Sequence, residues 1–268
     1  MKFSYLYSYK VYHMIRLTFL GTGTSQGVPI IGCKCKVCTS QDPKDKRLRS
    51  SVLIEHNNKK ILIDAGPDFR QQLLRENIGN LDAIILTHEH KDHTGGLDDV
   101  RAINYLQKKI LPIYCEKRVE DSLHKEYSYA FCKIKYPGVP EFDIKTIDNT
   151  PFKIGDITIT PIRVYHYKLP ILGFRIGNIT YITDANRIDP KELEKIFGSE
   201  ILVLNTIRKE KHISHFSLLE AIEVAKKVNS KATYLTHLSH QIGTHSELSS
   251  ILPQGIYASY DGLTIETK

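Results

Sequence analysis

The chain of 268 residues contains no apolar run that approaches the roughly 20 residues of a membrane-spanning helix. Its first residues, 1–12, are rich in tyrosine and contain no apolar stretch of the kind found in secretory signal peptides. The sequence therefore argues against a membrane span and against secretion. We predict a cytoplasmic location, with no membrane partner.

Linkers are missing as well. No segment rich in proline, glycine or serine and no long block of like charge indicates a boundary between independent domains. We predict a single domain over residues 14–268, because hydrophobic residues make up 41% of the chain and can supply a buried core. Residues 1–13 show little pattern, and we interpret them as a disordered N-terminal extension or as an artefact of start-site choice. The sequence leaves open whether the protein is a monomer or a homodimer.

Cysteine is scarce, at five residues, and the odd number does not suit a disulfide framework. Cys33, Cys35 and Cys38 stand too close together for such a framework, whereas three thiolates at this spacing are typical of a metal site. Cys115 and Cys132 have no such neighbours, and we expect inert thiols there.

Basic residues outnumber acidic residues in this chain. The 37 lysines and arginines outnumber the 30 acidic residues, which gives a net charge of +7. This balance favours anionic partners such as phosphate esters or nucleic acid. An ordinary solvated surface would explain the same excess.

The most informative segment is the run 87–93, Thr-His-Glu-His-Lys-Asp-His, which directly follows the apolar run 83–86. Imidazole and carboxylate together suit zinc, manganese or iron. His88 and His90 are two residues apart and can hold one ion from the same side, while Asp92 and His93 can hold a second. The alternative is a solvated loop rich in histidine, but the spacing after a strand favours a dinuclear metal site.

Strand-like and helix-like segments alternate along the chain, which predicts an α/β protein. The pattern occurs twice. In the first half a hairpin over 51–55 and 60–64 ends in Asp64, a helix over 67–76 follows, and the strand over 83–86 leads to His88.

In the second half a hairpin over 172–176 and 180–183 ends in Asp184, and a helix over 190–197 follows. After a strand over 201–204 and a helix over 218–228, the strand over 233–235 leads to His237. The polar residues thus fall at strand ends along one edge, between two sheets. The segment 105–150 is less regular, and a surface lobe or lid formed by its lysines and tyrosines is one interpretation of it.

The His-x-His-x-Asp-His run, the upstream Asp-Ala-Gly at 64–66, and single His and Asp residues at later strand ends resemble the metallo-β-lactamase superfamily. More narrowly, segment 21–29 (Gly-Thr-Gly-Thr-Ser-Gln-Gly-Val-Pro), the cysteine cluster and Thr-His-Leu-Ser-His-Gln at 236–241 resemble the PhnP-type cyclic phosphodiesterases. The resemblance extends from Met14 onward. It implies the four-layer αββα sandwich of that superfamily.

The ligands that the resemblance implies form two sets joined by a bridging carboxylate: His88, His90 and His166 for one ion, Asp92, His93 and His237 for the other, and Asp184 between them. Asp64 matches an aspartate that lies beside the ligating histidines, where it would orient a ring N–H. A helix N-cap is the alternative role for Asp64.

The three cysteines need a fourth ligand, because structural zinc is nearly always four-coordinate. His240 is the best candidate, since it lies three residues beyond His237 and the related enzymes match at that position. We predict a structural zinc held by Cys33, Cys35, Cys38 and His240, apart from the chemistry.

A phosphodiester substrate follows from the charge of the predicted site. Two divalent ions with Asp92, Asp184 and one hydroxide leave a charge of about +1, which favours an anion. A metal-bridging hydroxide would be the nucleophile, because coordination lowers the pKa of water from 15.7 to about 7.

His215 is the remaining candidate for the chemistry. It lies just before a Ser-x-x-Glu capping box at 217–220, so an anion beside it would also meet the positive end of a helix. In the family the matching histidine contacts the phosphate and is a candidate acid for the leaving alkoxide. His212 is the competing residue.

We therefore predict a dinuclear metal-dependent phosphodiesterase that hydrolyses a small cyclic phosphate ester, by resemblance a phosphoribosyl 1,2-cyclic phosphate. A tRNA 3′-processing endoribonuclease shares the metal set, but this sequence lacks its Gly/Pro-rich arm; nucleic acid is not the favoured partner. A thioester hydrolase of the glyoxalase type fits the cysteine cluster less well. A non-catalytic metal-binding regulator on the same fold is the alternative of another class, and the complete ligand set argues against it.

Overall fold

The computed structural model describes residues 14–267, in which strands and helices alternate in two successive runs. The predicted extension 1–13 lies outside the described residues. The elements of the first run are β1 (Ile15–Gly21), β2 (Ser51–His56), β3 (Lys59–Ile63), α1 (Phe69–Arg75), β4 (Ala83–Ile85), α2 (Lys91–Thr94), α3 (Val100–Gln107), β5 (Leu111–Glu116), α4 (Lys117–Glu126), α5 (Ser128–Phe131) and β6 (Phe142–Ile147).

The second run completes the fold. Its elements are β7 (Phe152–Ile154), β8 (Ile157–His166), β9 (Leu169–Ile176), β10 (Ile179–Ile182), β11 (Arg187–Ile188), α6 (Pro190–Glu194), β12 (Ile201–Asn205), α7 (Leu218–Val228), β13 (Ala232–Thr236), α8 (His245–Ile251), β14 (Ile256–Ala258) and β15 (Thr264–Thr267).

The strands form two mixed sheets. The first has the order β15-β1-β2-β3-β4-β5-β6, and the second has the order β11-β8-β9-β10-β12-β13-β14, with β7 beside β8. Within each sheet a run of parallel strands follows the hairpin, β3-β4-β5-β6 in the first and β10-β12-β13-β14 in the second. This internal repetition matches the two halves predicted from the sequence.

The core lies in three layers because successive strand residues face opposite sides of a sheet. Ile54, Ile63 and Phe174 pack between the two sheets. Leu53 packs against the helices that cover the first sheet, and Ile182 packs against those that cover the second. The predicted four-layer αββα sandwich is therefore confirmed.

Local chemistry explains several element boundaries. Asn57 and Asn58 have φ of 48° and 58°, as a two-residue hairpin loop with left-handed residues requires, and they join β2 to β3 as predicted. Ser217 caps α7: its side chain accepts from the backbone N–H of Glu220, whose carboxylate accepts from the N–H of Ser217. The helix predicted over 218–228 has these bounds.

The expectation of a surface lobe or lid over 105–150 is wrong. This segment supplies β5 and β6, which extend the first sheet, and α4, which packs on it. Leu111, Ile113 and Cys115 alternate as buried residues along β5 and face the helices. The segment looks irregular in sequence because lysines and tyrosines separate these short elements. Within residues 14–267, no helix is long and apolar enough to cross a membrane.

Candidate metal centre

The candidate site lies where parallel strands of both sheets end. β3 and β4 run in parallel with Ile63 opposite Ile85, so Asp64 and the segment with His88 leave the first sheet side by side. In the second sheet β10, β12 and β13 run in parallel and lead to Asp184 and His237. Ligands in α/β sheets bind at this carboxyl edge of the strands.

The backbone bends sharply as three of these strands end. Asp64, Asp184 and His237 have φ of 65°, 56° and 57°, a left-handed conformation that is uncommon for residues other than glycine. Such residues cost on the order of 1–3 kcal/mol each and cluster at functional sites. The surrounding hydrogen bonds hold them in place.

Gly66 explains the Asp-Ala-Gly motif. A Cβ at this position would lie 2.0 Å from the carbonyl oxygen of Asp92. Only glycine lets the segment after Asp64 pass this close to the loop that carries Asp92 and His93.

Asp184 lies at the centre of the site. Its Oδ1 is 3.1 Å from His215 Nε2 and 3.2 Å from His237 Nε2, while its Oδ2 is 3.2 Å from His93 Nε2. Asp92 Oδ2 lies 3.2 Å from the same His93 nitrogen. The bridging position predicted for Asp184 is the one that contacts residues of both halves.

Four of the histidines form hydrogen bonds through Nδ1, and these contacts do not involve their Nε2 atoms. His93 Nδ1 lies 2.7 Å from Asp64 Oδ2, and His166 Nδ1 donates to the carbonyl of Ser214 at 2.9 Å. His88 Nδ1 is 2.9 Å from the hydroxyl of Thr87.

The fourth, His237 Nδ1, is 3.2 Å from the hydroxyl of Ser50. Ser50 donates its one hydroxyl proton to the carbonyl of Gly23, and Thr87 donates its proton to Asp64. Each hydroxyl therefore accepts from the imidazole, so Nδ1 carries the proton and Nε2 has the free lone pair. This is the tautomer that binds a metal through Nε2.

Unpartnered nitrogens test whether these residues suit a metal. The Nε2 atom of His88 is buried and has no hydrogen-bond partner, and that of His93 forms no hydrogen bond either, although it lies 3.2 Å from carboxylate oxygens of Asp92 and Asp184. A buried polar atom without a partner is costly, and a cation at the centre would satisfy both nitrogens. The donor set of imidazole and carboxylate therefore fits divalent metal binding.

Electrostatics indicate the same demand for a cation. Burial alone lowers the pKa of His93, but Asp184, Asp92 and Asp64 together raise it well above its usual value. Burial lowers the pKa of His237 to about 3, despite the nearby carboxylate of Asp184. Positive charge is thus favoured between the carboxylates, and a neutral imidazole is favoured at His237.

Asp64 acts as an orienting partner in this geometry and does not cap a helix. Its carboxylate accepts from the backbone N–H of Thr87 at 2.9 Å and holds His93, whereas Asp68 occupies the N-cap position of α1. The helix predicted over 67–76 extends from Phe69 to Arg75. Burial raises the pKa of Asp64, and its contact with His93 opposes that shift.

The candidate ligands of this site form three groups, which differ from the two predicted sets. The ligand atoms within each group lie within 4.8 Å of one another. The groups are His88 with His93 and Asp184, Asp92 with Asp184 and His237, and His166 with Asp184 and His215. His90 joins none of them, although its ring centroid lies 4.6 Å from that of His88 and 5.1 Å from that of His166. All seven predicted residues therefore line one site, with His93 nearer the centre than predicted.

His215 reaches the centre and His212 does not. The ring of His215 is buried and stacks on His237 with centroids 4.9 Å apart. His212 lies behind it, with the two Nδ1 atoms 3.2 Å apart. Of the two histidines before α7, His215 is the one that can meet a substrate at the metal centre.

The cysteine cluster converges as predicted. Sγ of Cys33, Cys35 and Cys38 lie 3.4, 3.4 and 3.6 Å from Nδ1 of His240. A tetrahedral zinc with Zn–S near 2.3 Å and Zn–N near 2.0 Å requires S···N separations of roughly 3.5 Å. The four side chains therefore have the spacing of a closed zinc site.

The thiols of this cluster differ in acidity. A hydrogen bond from the backbone N–H of Cys38 lowers the pKa of Cys35 to about 6. Burial raises the pKa of Cys38 to about 11. Metal binding would have to displace the proton of Cys38, whereas Cys35 favours the thiolate that a metal needs.

Sequence reasoning missed the residues that orient the rings, namely Ser50, Thr87, Thr183 and Ser214. Thr183 donates to Asp184 Oδ2 at 2.6 Å. Thr87 and Thr183 had a signal in sequence, because each directly precedes a predicted ligand at a strand end. Ser50 had none, since it is distant in sequence from His237.

Comparison with known proteins agrees with this architecture. The model of the beta-lactamase superfamily domain matches residues 59–238. A crystal structure described as a new diphosphatase from the PhnP family is 38% identical, with a TM-score of 0.89 over 95% of this chain and 97% of that one. The short form of human tRNase Z shares the fold at 19% identity, with a TM-score of 0.69 over 93% of this chain and 98% of that one.

Two curated relatives carry other names. A protein of Porphyromonas gingivalis named octanoyltransferase is 43% identical over 252 residues, which are 93% of this chain and 51% of the relative. Ribonuclease Z of Saccharolobus islandicus is 27% identical over 206 residues, 75% of this chain and 61% of the relative. The chain thus covers 51% and 61% of the length of these two relatives. On the family match, the fold and the PhnP-family neighbour, the chain belongs to the metallo-β-lactamase superfamily and is PhnP-like.

Proposed function

We propose that this protein is a dinuclear metal-dependent phosphodiesterase that hydrolyses a small cyclic phosphate ester. The observation that carries the proposal is the position of Asp184, whose two carboxylate oxygens lie 3.1–3.2 Å from His93, His215 and His237. A carboxylate that faces imidazoles on both sides suits a bridge between two ions.

The ion sites we propose follow the two sets of ligands: His88, His90 and His166 for one ion, Asp92, His93 and His237 for the other, with Asp184 shared. Two divalent ions there would activate a water at neutral pH and offset the charge of a phosphate. The protein's own contribution is to fix the Nε2 atoms and to concentrate Asp92 and Asp184 at one point. With one hydroxide this leaves about +1, which suits a phosphodiester anion.

His215 is the acid we propose for the leaving alkoxide. Its Nε2 faces the centre, and its Nδ1 lies 3.0 Å from the hydroxyl of Ser214. The capped N-terminus of α7 begins two residues later and adds partial positive charge beside a bound anion. A proton given from Nε2 would neutralise the leaving oxygen as its bond to phosphorus breaks.

A third metal, structural and separate, is proposed at Cys33, Cys35, Cys38 and His240. The S···N separations of 3.4–3.6 Å support zinc at this position. Its role would be to join the N-terminal loop to the segment just after His237.

The names of the relatives do not change this proposal. The octanoyltransferase is about twice as long as the matched region, and its name describes the whole of that longer protein. Ribonuclease Z is the stronger rival, because it has the same fold and the net charge of +7 here would tolerate RNA.

One screen separates these functions. The purified protein, with its metal content measured, is assayed against ribose cyclic phosphates, bis(p-nitrophenyl) phosphate and precursor tRNA. We expect hydrolysis of the first two and two active-site metals per chain, both lost in Asp184→Ala. Cleavage of precursor tRNA alone would establish the ribonuclease, and a fully metallated protein inert toward all of them would establish a non-catalytic regulator.

A further inference from the structure

The first sheet ends at β6, and no strand within residues 14–267 pairs with the outer edge of β6. This strand of six residues is the last in the order of the sheet and is bonded to β5 on its inner side. An edge strand presents backbone N–H and C=O groups to which another chain can bond, unless the protein blocks that edge. The residues of β6 therefore decide whether a partner fits there.

The register with β5 identifies the backbone groups that face outward. The N–H of Leu111 donates to the carbonyl of Glu141, just before β6, at 3.3 Å. Because the backbone groups of alternate residues point to opposite sides of a strand, those of Asp143 and Lys145 also face β5. The N–H and C=O groups that face away from the sheet belong to Phe142, Ile144 and Thr146.

The side chains of β6 leave this edge accessible. Phe142 and Ile144 pack on the helices that cover the first sheet but are only partly buried. On the other face Asp143 and Lys145 have side chains that are 46% and 50% exposed, with Lys145 Nζ 3.0 Å from Asp143 Oδ2. The strand contains no proline, and its pairing with β5 has no bulge. Its backbone is therefore regular enough to pair with another strand.

The charges of β6 are complementary to those of a second copy of the same strand. In an antiparallel pair centred on Ile144, each Asp143 lies opposite Lys145 of the second copy, because both are one residue from the centre. The outward backbone groups meet in the same register, since Ile144 bonds to its own counterpart. Centring the pair on Asp143 or on Lys145 would instead place like charges directly opposite each other, which is destabilising.

We propose that two copies of the chain associate through antiparallel pairing of β6 about Ile144, so that their first sheets form one continuous sheet. Such a two-fold contact uses the same surface of both copies. The two Ile144 side chains would cover each other, and Ile134 and Tyr136, 93% and 80% exposed on the segment that leads into β6, are further apolar surface available to a second copy. Because one strand of this length buries less area than a typical permanent interface, we expect reversible association in the micromolar range.

The oligomeric state of the metal-loaded full chain is the first measurement. Sedimentation velocity and light scattering over a concentration series should show the monomer of 30.7 kDa in exchange with a species of twice that mass. A chain that stays monomeric throughout would overturn the proposal, and Asp143 and Lys145 would then be charges that protect the edge from pairing.

Charge reversal tests the register. Asp143→Lys and Lys145→Asp each set like charges opposite each other on both sides of the two-fold axis, so we expect either change to weaken self-association about tenfold. The two single variants mixed together should form a heterodimer, because the positive edge of one meets the negative edge of the other. The double reversal should restore self-association. Glu266→Lys on β15, the opposite edge strand of the same sheet, is the matched control, since that carboxylate is 47% exposed.

A cysteine at the centre of the pair tests the contact directly. In a Cys132→Ser background, which removes an exposed thiol, Ile144→Cys should form a disulfide between two copies under mild oxidation. Directly opposite residues of an antiparallel pair lie within the distance that a disulfide can bridge. Thr146→Cys should not cross-link, because in this register it lies opposite Phe142 of the second copy.

The remaining outcomes would each contradict the proposal. Self-association that neither single reversal weakens, or that Glu266→Lys weakens equally, would mean that the contact lies elsewhere. Failure of the two mixed variants to associate would exclude the pairing of Asp143 with Lys145. Cross-linking of Thr146→Cys as fast as Ile144→Cys would exclude a pair centred on Ile144.

Discussion

At the scale of single residues, the candidate site depends as much on the groups behind the imidazoles as on the imidazoles themselves. Four histidines form hydrogen bonds through Nδ1 with hydroxyls, a carboxylate or a carbonyl: His88, His93, His166 and His237. A histidine that is free to rotate would pay an entropic cost on binding metal, which these contacts remove in advance.

Ser50→Ala should therefore weaken metal binding at His237. The change removes the acceptor for Nδ1 without touching Nε2, and partners of this kind are typically worth 10–100-fold in metal affinity or activity. We expect a loss of that size in a competition titration with a chelator. Ser250→Ala, an exposed serine on α8, is the control, and equal affinity in the two variants would show that Ser50 has no orienting role.

His215→Ala should lower turnover and leave the metal content unchanged. General acid catalysis is typically worth 10²–10⁴-fold for a poor leaving group, so an alkyl diester should lose more rate than an activated aryl diester. Rate measurements on both substrates with metal analysis check this. Equal losses would mean that His215 positions the phosphate, and loss of metal would make it a ligand; His212→Ala is the neighbouring control.

At the scale of elements, the sequence predicted those whose ends have their own chemistry. The β2-β3 turn and α7 match because Asn57-Asn58 and the box of Ser217 and Glu220 fix them locally. α6 ends at Glu194, short of the predicted 197, and Ile196 beyond its end is fully buried. Arg175 meanwhile binds the carbonyls of Lys195 and Phe197.

Ser217→Ala should destabilise the protein through α7. Loss of an N-cap side chain typically costs about 1 kcal/mol, and here the hydrogen bond that the Ser217 hydroxyl donates to the Glu220 carboxylate is lost too. Urea unfolding followed by circular dichroism measures the change. Because His215 lies two residues before the cap, we also expect weaker binding of phosphate, and a variant with unchanged stability would show that packing alone holds α7.

At the scale of the whole molecule, the cysteine cluster joins distant parts of the chain. Cys33, Cys35 and Cys38 lie in the loop after β1, and His240 lies just beyond β13 of the second sheet. A zinc there would close a loop of about two hundred residues and brace the segment that carries His237.

Cys35→Ser should remove one zinc per chain and lower the melting temperature. A loss of 1 kcal/mol shifts Tm by roughly 2–4 °C in a chain of this size, and loss of a structural metal exceeds that. Metal analysis and thermal denaturation check both effects, with Cys132→Ser, an exposed cysteine outside the cluster, as the control. A full zinc complement in Cys35→Ser would refute the site.

The sequence by itself determined the fold class, the repeat of two halves and the residues that line the site. These features follow from local signals: alternating apolar residues, Asn and Gly at turns, a capping box, and ligand residues directly after strands. The motif spacing also indicated the group of Cys33, Cys35 and Cys38, and the family resemblance implied His240 as its fourth member and Asp184 as the carboxylate between the histidines.

Only the tertiary structure decided how these residues divide in space and what holds them. Ser50 meets His237 and Asn186 joins Tyr167 to Ile213 through contacts between segments far apart or in irregular loops, and no local pattern encodes such pairs. The central position of His93 depends on Asp64, which approaches from a neighbouring strand. Contacts of this kind arise from the register and packing of whole sheets, which single residues and their neighbours in sequence do not specify.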